Sequence, residues 1–374
     1  MMKQTKNIPE LRFPEFEGEW STDKTGKIFQ INAGGDIAKE NVRFEKDEFY
    51  KYPVYANAEA NKGLYGYSNV YKIEAGTITV AGRGVNIGIA HYRDHRYYPI
   101  VRLLVLKPKS NVDLLFFEYQ INRSNIFVES TGVPQLTAPQ LSEYFLAYPG
   151  IPEQQKIATF LSAADQRIQL LTQKKEKLEQ YKKGIMQQIF SQQLRFKDEN
   201  EQEYPEWEEK RLGDCLKYEQ PTKYLVNSVE YSNSYSIPVI TAGKTFILGY
   251  TDEKEGVFNR DLPIILFDDF TTATQYVNFP FKLKSSAAKI LYPKGNVDIK
   301  FAYEVMQTIK YEVGGHGRHW ISVFSDLVCE FPSYLEQQKI ASFLSFIDQK
   351  ITLVNQQIEL TRKWKQGLLQ KMFV

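Results

Sequence analysis

The sequence at residues 153–168 is EQQKIATFLSAADQRI, and 183 residues later the sequence at residues 336–351 is EQQKIASFLSFIDQKI. The similarity continues without a gap, more loosely, to Phe190 against Phe373. A repeat of this length indicates that the chain holds two copies of one structural plan. In each copy, a globular segment of roughly 140 residues precedes a helix of about 40 residues.

The repeated stretches carry apolar residues at alternating spacings of four and three, which is the pattern of a coiled coil. We predict that the following residues pack between the two helices: Ile157, Leu161, Ile168, Leu171, Ile340, Leu344, Ile351 and Val354. Each helix would be about 60 Å long, and alone it would leave this apolar seam exposed. Its duplicate is the nearest partner, so we expect an antiparallel pair with an approximate two-fold axis and the globular segments at opposite ends.

Local signals place the starts of the two helices. Pro152 lies in a first turn, where a helix accepts proline, and Ser333 with Glu336 three residues later matches a capping box. Gly184 and Gly367 interrupt otherwise good helix at matched positions, at a cost of about 1 kcal/mol each. They are either tolerated sequence or points of close helix contact.

The two globular segments share short motifs at corresponding positions, but the residues between these motifs differ. Leu11-Arg-Phe13 corresponds to Leu194-Arg-Phe196, whereas Thr77–Gly84 is quite unlike its counterpart Pro263–Thr272. One scaffold with two different recognition surfaces would produce this pattern. Short apolar or alternating runs, such as Val101–Leu106 and Pro263–Phe267, predict strands in both segments, and Leu114–Asn122 and Ile299–Ile309 predict short helices.

The predicted fold class is therefore α+β with an internal repeat. Two strand-rich α/β domains occupy residues 1–149 and 194–332. A central spacer helix occupies residues 150–193, and a C-terminal spacer helix occupies residues 333–374. The two helices form the antiparallel coiled coil.

Length and composition bound the class of protein. At 374 residues with 43% hydrophobic content, the chain can bury two separate cores. Two cysteines, Cys215 and Cys329, indicate a reduced intracellular protein rather than a disulfide scaffold. No apolar run reaches the 18 residues of a membrane helix, so we expect no membrane partner and a cytoplasmic location. The net charge of +2 argues neither for nor against nucleic acid.

Motifs for catalysis are scarce, and we predict no catalytic residue and no metal site in this chain. The sequence has no Asn-Pro-Pro-aromatic tetrapeptide of an amino-methyltransferase and no Gly-x4-Gly-Lys-Ser/Thr phosphate loop. Gly82–Gly88 is rich in glycine but does not follow a βαβ pattern. His316 and His319 lack the further ligands that a metal ion needs.

The loops carry side chains that can bond base edges and phosphates. In the first segment the predicted DNA-binding residues are Arg83, Asn86, Arg93, His95, Arg96, Thr131 and Gln135. In the second segment they are Thr271, Thr272, Thr274, Gln275, Tyr276, His316, Arg318 and His319. Lys282 is expected to hold a phosphate. For any single residue of these sets, ordinary loop polarity is the alternative.

Two globular segments, each closed by a helix that starts at Glu-Gln-Gln-Lys-Ile-Ala, resemble the specificity subunit of type I restriction–modification enzymes. The resemblance covers essentially the whole chain and rests most on Pro152–Ala158, Glu336–Ala341, the two Leu-Arg-Phe motifs, Asp268–Thr271 and Phe279–Phe281. It implies a noncatalytic subunit that recognises double-stranded DNA through two target recognition domains held by antiparallel spacer helices.

The resemblance also implies partners and cofactors. The partners would be two modification (methyltransferase) subunits and, in the full complex, restriction subunits with an ATP-dependent motor and nuclease. No cofactor is expected in this chain, because S-adenosylmethionine, ATP and Mg2+ would belong to the partner subunits.

A two-fold plan with unlike readers suits a split, asymmetric DNA target, with the helices setting the half-site separation. Half-sites read from one face of B-DNA lie about one turn, ~34 Å, apart. Two alternatives stay open. One is a stand-alone nuclease or methyltransferase, which the missing motifs disfavour, and the other is a coiled-coil assembly protein without a DNA role.

Overall fold

The computed structural model describes residues 7–58, 60–124, 126, 135–243, 245–311 and 318–374. The chain divides into two compact units. Unit 1 consists of residues 1–172 together with 356–374, and unit 2 consists of residues 173–355. Unit 2 is therefore continuous in sequence, whereas unit 1 is assembled from two separate stretches.

The helices and strands alternate in the same order in both units. The α-helices are α1 Thr25–Ile28, α2 Leu114–Arg123, α3 Ala138–Ser142, α4 Ile151–Phe190, α5 Leu212–Cys215, α6 Ile299–Thr308, α7 His319–Ser322 and α8 Tyr334–Lys371. The strands of unit 1 are β1 Ser21–Lys24, β2 Phe29–Ala33, β3 Val42–Arg43, β4 Tyr52–Tyr55, β5 Leu64–Ser68, β6 Thr77–Val80, β7 Ala90–Arg93, β8 Tyr98–Pro99, β9 Leu104–Pro108 and β10 Phe145–Tyr148. The strands of unit 2 are β11 Glu208–Arg211, β12 Leu216–Glu219, β13 Ile237–Ile240, β14 Ile247–Thr251, β15 Ile264–Asp268, β16 Thr274–Val277, β17 Lys282–Leu283, β18 Ala288–Pro293 and β19 Val328–Phe331.

The sheets repeat from one unit to the other. Unit 1 has the sheet β2-β9-β6-β7 and unit 2 has the matching sheet β12-β18-β15-β16, antiparallel throughout. The second sheet is β3-β5-β4-β8 in unit 1 and β14-β13-β17 in unit 2, and in each case one pair, β4–β8 or β13–β17, is parallel. A two-stranded ribbon, β1-β10 or β11-β19, completes each unit.

The central strands of both main sheets are buried on both faces. All four residues of β6 are buried, and so are the first four of β15. This explains their apolar, β-branched sequences, since a strand covered on both sides reads as a continuous apolar run rather than an alternating one. Helices α2 and α6 pack on these sheets, each capped by an aspartate, Asp113 or Asp298, whose carboxylate accepts from the backbone N–H three residues on.

The long helices run antiparallel within each unit. In unit 2, Lys175 Nζ donates to Asn355 Oδ1 at 3.1 Å and Lys182 Nζ donates to Asp348 Oδ1 at 2.7 Å, so numbers rise along α4 as they fall along α8. In unit 1, Lys365 Nζ donates to Asp165 Oδ1 at 2.5 Å. The predicted antiparallel coiled coil and the internal repeat are thus confirmed.

The eight predicted packing residues are placed as follows. Ile157, Leu161, Ile340, Leu344 and Val354 are at most 4% exposed, and Ile168, Leu171 and Ile351 are half-buried. Burying one such aliphatic side chain stabilises the fold by about 1.5–3 kcal/mol. Ile157 and Leu161 belong to the core of unit 1, and Ile340 and Leu344 belong to that of unit 2, so these residues also fix each long helix to its domain.

Residues of the repeated motif fasten each helix start to its domain. In unit 1, Arg12 of the Leu-Arg-Phe motif donates to both carboxylate oxygens of Glu153, at 2.8 and 2.7 Å. In unit 2, Arg195 makes the same two bonds to Glu336, at 3.3 and 2.9 Å. Both glutamates are at most 3% exposed, so each pair is a bidentate charge-assisted contact with little competition from water.

The structure tests what the sequence alone suggests about the start of α8 and the two helix glycines. Ser333 Oγ accepts from the backbone N–H of Glu336 at 3.4 Å, but the Glu336 carboxylate binds Arg195 instead of completing the capping box. At Gly184 and Gly367, an added Cβ would meet no atom within 4 Å outside the local helix. Close helix contact is thus not the reason for either glycine.

Candidate nucleic-acid interface

The tip of the β6–β7 hairpin carries two of the predicted residues of unit 1. Arg83 and Asn86 are half-buried on either side of Val85, whose side chain is fully exposed. Arg83 pairs with Gln135 through a backbone bridge, and its Nη2 donates to Gln135 Oε1 at 3.0 Å. Three of the predicted residues thus meet at one exposed edge, with donors and acceptors suited to base edges.

Arg93 does not belong to that edge, and its prediction as a DNA contact is corrected here. Its side chain is 2% exposed, donates to Thr79 Oγ1 and to the carbonyl of Lys62, and lies 3.5 Å from the ring centroid of Tyr55. Burial lowers the pKa of Arg93, an effect that the neighbouring Tyr55 and Tyr97 partly offset. Arg93 is a structural cation that supports the tyrosine rings around it.

His95 and Arg96 lie on the turn between β7 and β8 and reach the surface. The His95 ring bonds Tyr55 Oη at 2.8 Å and the Asp94 carboxylate at 2.6 Å. Arg96 donates to Glu74 at 2.8 Å and its guanidinium lies 4.7 Å from the ring centroid of Tyr71. The Arg96–Glu74 ion pair is exposed on both sides and therefore weak.

The matched β15–β16 hairpin of unit 2 carries five of the predicted DNA-binding residues, from Thr271 to Tyr276. The Asp268 carboxylate accepts from the backbone N–H groups of Phe270 and Thr271, which forms a tight turn with Thr272 at a φ of 58°. This Asx-type turn holds Thr271 and Phe270, both exposed, at the tip. The sequence signal for it was the Asp-Asp-Phe-Thr-Thr stretch.

The three predicted residues of β16 are half-buried on an edge strand. Thr274 Oγ1 accepts from Gln307 at 2.6 Å, and the Tyr276 ring packs at 5.8 Å from the ring of Tyr303. Burial raises the pKa of Tyr276. Within the described part of the chain, neither the Gln275 side chain nor the Tyr276 hydroxyl makes a hydrogen bond, whereas Thr274 does.

Asp269 of this hairpin forms a buried ion pair with Lys289 of β18 and accepts backbone hydrogen bonds from the segment that bears Arg318. Asp269 and Lys289 are 1% and 2% exposed, with 3.1 Å between Asp269 Oδ2 and Lys289 Nζ. Asp269 Oδ1 accepts from the backbone N–H of Trp320, and the Asp269 carbonyl accepts from that of His319. Arg318 is exposed at the start of α7, so its backbone is fixed relative to the hairpin.

Two further expectations are corrected. His319 is 5% exposed, with its Nδ1 at 3.3 Å from Tyr311 Oη, and is therefore buried rather than presented to a ligand. Lys282 is 2% exposed and donates to Glu253 and to the carbonyl of Glu255, so it does not hold a phosphate. Thr131 and His316 lie outside the described residues.

Within the described ranges, no group of three or more His, Cys, Asp or Glu side chains is arranged to hold a metal ion. Within the same ranges, no helix is both long enough and apolar enough to cross a membrane. Each unit thus offers a hairpin tip with polar side chains on a strand-rich scaffold, with Arg83 on the tip of unit 1 and the exposed Arg318 on the segment bonded to the hairpin of unit 2. That arrangement defines a protein with two similar but differently equipped binding domains on paired long helices.

The family model of the type I restriction modification DNA specificity domain matches residues 17–180 and again residues 204–362. The chain belongs to this family, with one copy of the domain in each half. The two matches coincide with the repeat that the sequence shows.

Individual proteins similar in sequence to this chain agree with the family match. A stretch of 126 residues is 48% identical to the EcoR124I/EcoR124II type I restriction enzyme specificity subunit of Escherichia coli and spans 32% of this chain and 31% of that protein. A stretch of 144 residues is 33% identical to a protein of Mycoplasma pneumoniae named as a type I specificity subunit, over 36% of this chain and 39% of that one. The chain thus matches between 31% and 39% of the length of these relatives.

The fold matches a solved structure over its whole length. The crystal structure of the type I restriction–modification system S subunit from M. genitalium superposes with a TM-score of 0.71 and 18% sequence identity, covering 98% of this chain and 99% of that one. At that identity, the likeness establishes the shared fold.

Proposed function

We propose that this chain is the noncatalytic DNA-recognition subunit of a type I restriction–modification complex, and that each half reads one part of a split, asymmetric DNA target. The target recognition domains are assigned to residues 1–149 and 194–332. The carrying observation is the pair of matched hairpins, β6–β7 and β15–β16, which occupy the same position in the two main sheets and end in unlike tips.

In this proposal the readers are the exposed and half-buried residues of the two tips. In unit 1 they are Arg83, Asn86 and Gln135, with His95 and Arg96 as phosphate contacts. An arginine such as Arg83 can bond a guanine edge in two places, and Asn or Gln can do so with adenine.

In unit 2 the readers are Thr271, Thr272, Gln275 and Arg318. Hydroxyl and amide groups bond several bases, whereas the Arg318 guanidinium favours guanine. Since the two tips share no side-chain pattern, the two half-sites should differ in sequence.

The long helices are assigned two tasks. They set the separation of the two readers, and they dock two methyltransferase subunits, to which restriction subunits add. Their outer surface carries apolar side chains that the chain itself leaves exposed, including Leu353 at 57% and Leu360 at 67%. Exposed apolar groups of this size are typical of a protein interface.

An exchange of one domain tests independent reading. Residues 198–333 are replaced by the corresponding segment of a related specificity subunit, the complex with its methyltransferase is expressed, and methylated sites are mapped across the host genome. One half-site should change while the other and the spacing stay constant. A change in both half-sites contradicts independent readers, and cleavage or methyl transfer by the purified chain alone would support the enzyme alternative.

An insertion tests the helices as a spacer. One heptad added after Gln173, with a matched heptad added to α8, lengthens the helix pair by ~10.5 Å, equivalent to about three base pairs. The half-site sequences should persist with a longer spacer in the methylation map. Unchanged spacing with altered half-site bases would refute the assignment.

A further inference from the structure

The second sheet of unit 1 contains a pocket that the hairpin readers do not use. Its volume is about 560 Å³, within the range of sites that take small organic groups. The rings of Tyr52, Tyr55 and Tyr67 line it together with Pro53 and Leu64. We refer to it as the tyrosine pocket. Tyr52 and Tyr67 are half-buried, so the pocket opens to solvent with aromatic surface available.

The rim of the tyrosine pocket is cationic. The cations Lys46, Lys51 and Arg96 contribute to the lining together with the ring of His95, and no acidic side chain among the described residues does so. Lys46 and Lys51 are exposed and have no ion pair within the described part of the chain. The acidic neighbours of the other two, Asp94 and Glu74, form exposed pairs that are cheap to exchange. The rim therefore suits an anion.

The floor of the pocket is rigid. The guanidinium of the buried Arg93 lies 3.5 Å from the Tyr55 ring centroid, and the Tyr97 ring packs at 5.7 Å from that of Tyr55. Tyr55 Oη is also bonded to the His95 ring. A site whose walls are held in this way binds without the cost of ordering its own side chains.

Further aromatic and cationic side chains lie on the segments that line the tyrosine pocket. Phe44, Phe49 and Tyr65 are 80%, 64% and 48% exposed, and the rings of Phe44 and Tyr65 lie 6.0 Å apart. Arg43 lies over the ring of Tyr50 at 5.0 Å. Aromatic rings alternating with cations are the chemistry by which proteins hold nucleic acid strands, since bases stack on the rings and phosphates bind the cations.

The repeat provides an internal comparison. The register Pro53↔Tyr67 in unit 1 recurs as Pro238↔Tyr250 in unit 2. At the positions of Tyr52 and Tyr55, however, unit 2 has Ile237 and Ile240. The shared fold thus does not require these two tyrosines. Tyr55 belongs to a buried core cluster of unit 1, whereas Tyr52 is half-buried and accessible to a ligand.

We propose that the tyrosine pocket binds a nucleotide of the DNA strand whose base has left the stack, with the base on Tyr67 and Tyr52 and the phosphate on Lys51 and Arg96. This inference rests on the proposed function, because it assumes a DNA ligand. It assigns to unit 1 a contact that unit 2 lacks. Such a site favours DNA that is easily unstacked, so it adds selectivity without reading a base pair in the groove.

The test uses the full chain and a 12-nucleotide single-stranded DNA carrying one 5-iododeoxyuridine, which cross-links to a stacked aromatic ring on irradiation. Mass spectrometry should find the adduct on Tyr52 or Tyr67. Tyr67→Leu should weaken binding roughly 5- to 150-fold, as loss of a base–aromatic stack does. Tyr67→Phe, which keeps the ring, and Tyr250→Leu, at the matched position of unit 2, should bind as the unaltered chain does.

Lys51→Gln, a surface change that leaves the pocket walls intact, should reduce the salt dependence of binding by about 0.7 in the log–log slope. Adducts outside the pocket, absence of binding by the unaltered chain, or equal affinity of Tyr67→Leu would overturn the proposal. Displacement of the DNA by free dAMP at the same nucleotide concentration would also overturn it, because the pocket would then bind a free nucleotide rather than a nucleotide of a DNA strand. The methylation map tests the recognition of half-sites in duplex DNA and does not depend on these results. A negative result for the tyrosine pocket therefore leaves the proposed function standing.

Discussion

Replacement of Lys289 by methionine tests the buried ion pair of Asp269, the hairpin residue that also holds the Arg318 segment of unit 2 through backbone hydrogen bonds. The substitution keeps the length and apolar volume of the side chain but leaves the Asp269 carboxylate, 1% exposed, without its cation. One backbone bond, from Trp320 at 2.9 Å, remains to that carboxylate. Breaking a buried pair by removing one partner costs about 3–5 kcal/mol.

For a unit of this size, each kcal/mol lowers the melting temperature by about 2–4 °C, so Lys289→Met should lower it by about 6–20 °C. The measurement is calorimetric melting of the full chain, with Asp269→Asn and the double variant completing a mutant cycle. The double variant should regain much of the loss, because no charge is then left buried. A Lys289→Met loss below ~1 kcal/mol, or simple additivity in the cycle, would refute the reasoning.

Three further outcomes follow from contacts described above. The hydrogen bond from Lys282, helped by backbone N–H groups, lowers the pKa of Glu253 from 4.5 to about 2. The ionised carboxylate therefore stabilises the fold fully above about pH 4.5, and this contribution is lost as the pH falls towards 2. In urea unfolding, the difference in stability between the unaltered chain and Glu253→Gln should shrink over that range. Gly184→Ala and Gly367→Ala should each stabilise the chain by about 1 kcal/mol in the same assay, because both sites are open helix; destabilisation would reveal an unrecognised contact. Arg318→Ala should relax one base position in one half-site, with about 1–3 kcal/mol of discrimination lost, whereas uniform weakening over all single-base target variants would make Arg318 a phosphate anchor.

The repeat and the helices were predictable from sequence because their signals are local and periodic. The heptad spacing, the first-turn proline and the matched landmarks depend on residues within a few turns of one another. The α2 and α6 helices also follow their expected positions closely. Strand bounds shifted by a few residues: an expected strand at Val101–Leu106 begins at Leu104 instead, because Val101 and Arg102 have positive φ values of 53° and 57° and form a turn.

The candidate site was less predictable, since it depends on burial. Arg93 and Lys282 were expected at the surface because cations are seldom fully buried without a partner. Their partners, Tyr55 for Arg93 and Glu253 for Lys282, lie 38 and 29 residues away in sequence, beyond any local pattern. The tyrosine pocket was hidden for a similar reason, as tyrosines in a strand-rich chain are usually core. The replacement of Tyr55 by Ile240 in the second copy was the signal available.

The interleaving of the two units has a consequence for how the chain is made. Phe373 packs against Trp20 and Phe116 at ring distances of 6.0 and 5.2 Å, inside the core of unit 1, together with Leu368 and Met372. These residues leave the ribosome after all of unit 2, which is continuous in sequence. During synthesis, the core of unit 1 therefore stays incomplete until the C-terminal residues have been made. Until then, the apolar surface of its earlier part remains uncovered. That delay lengthens the exposure of an aggregation-prone surface and makes the nascent first domain a natural client of chaperones.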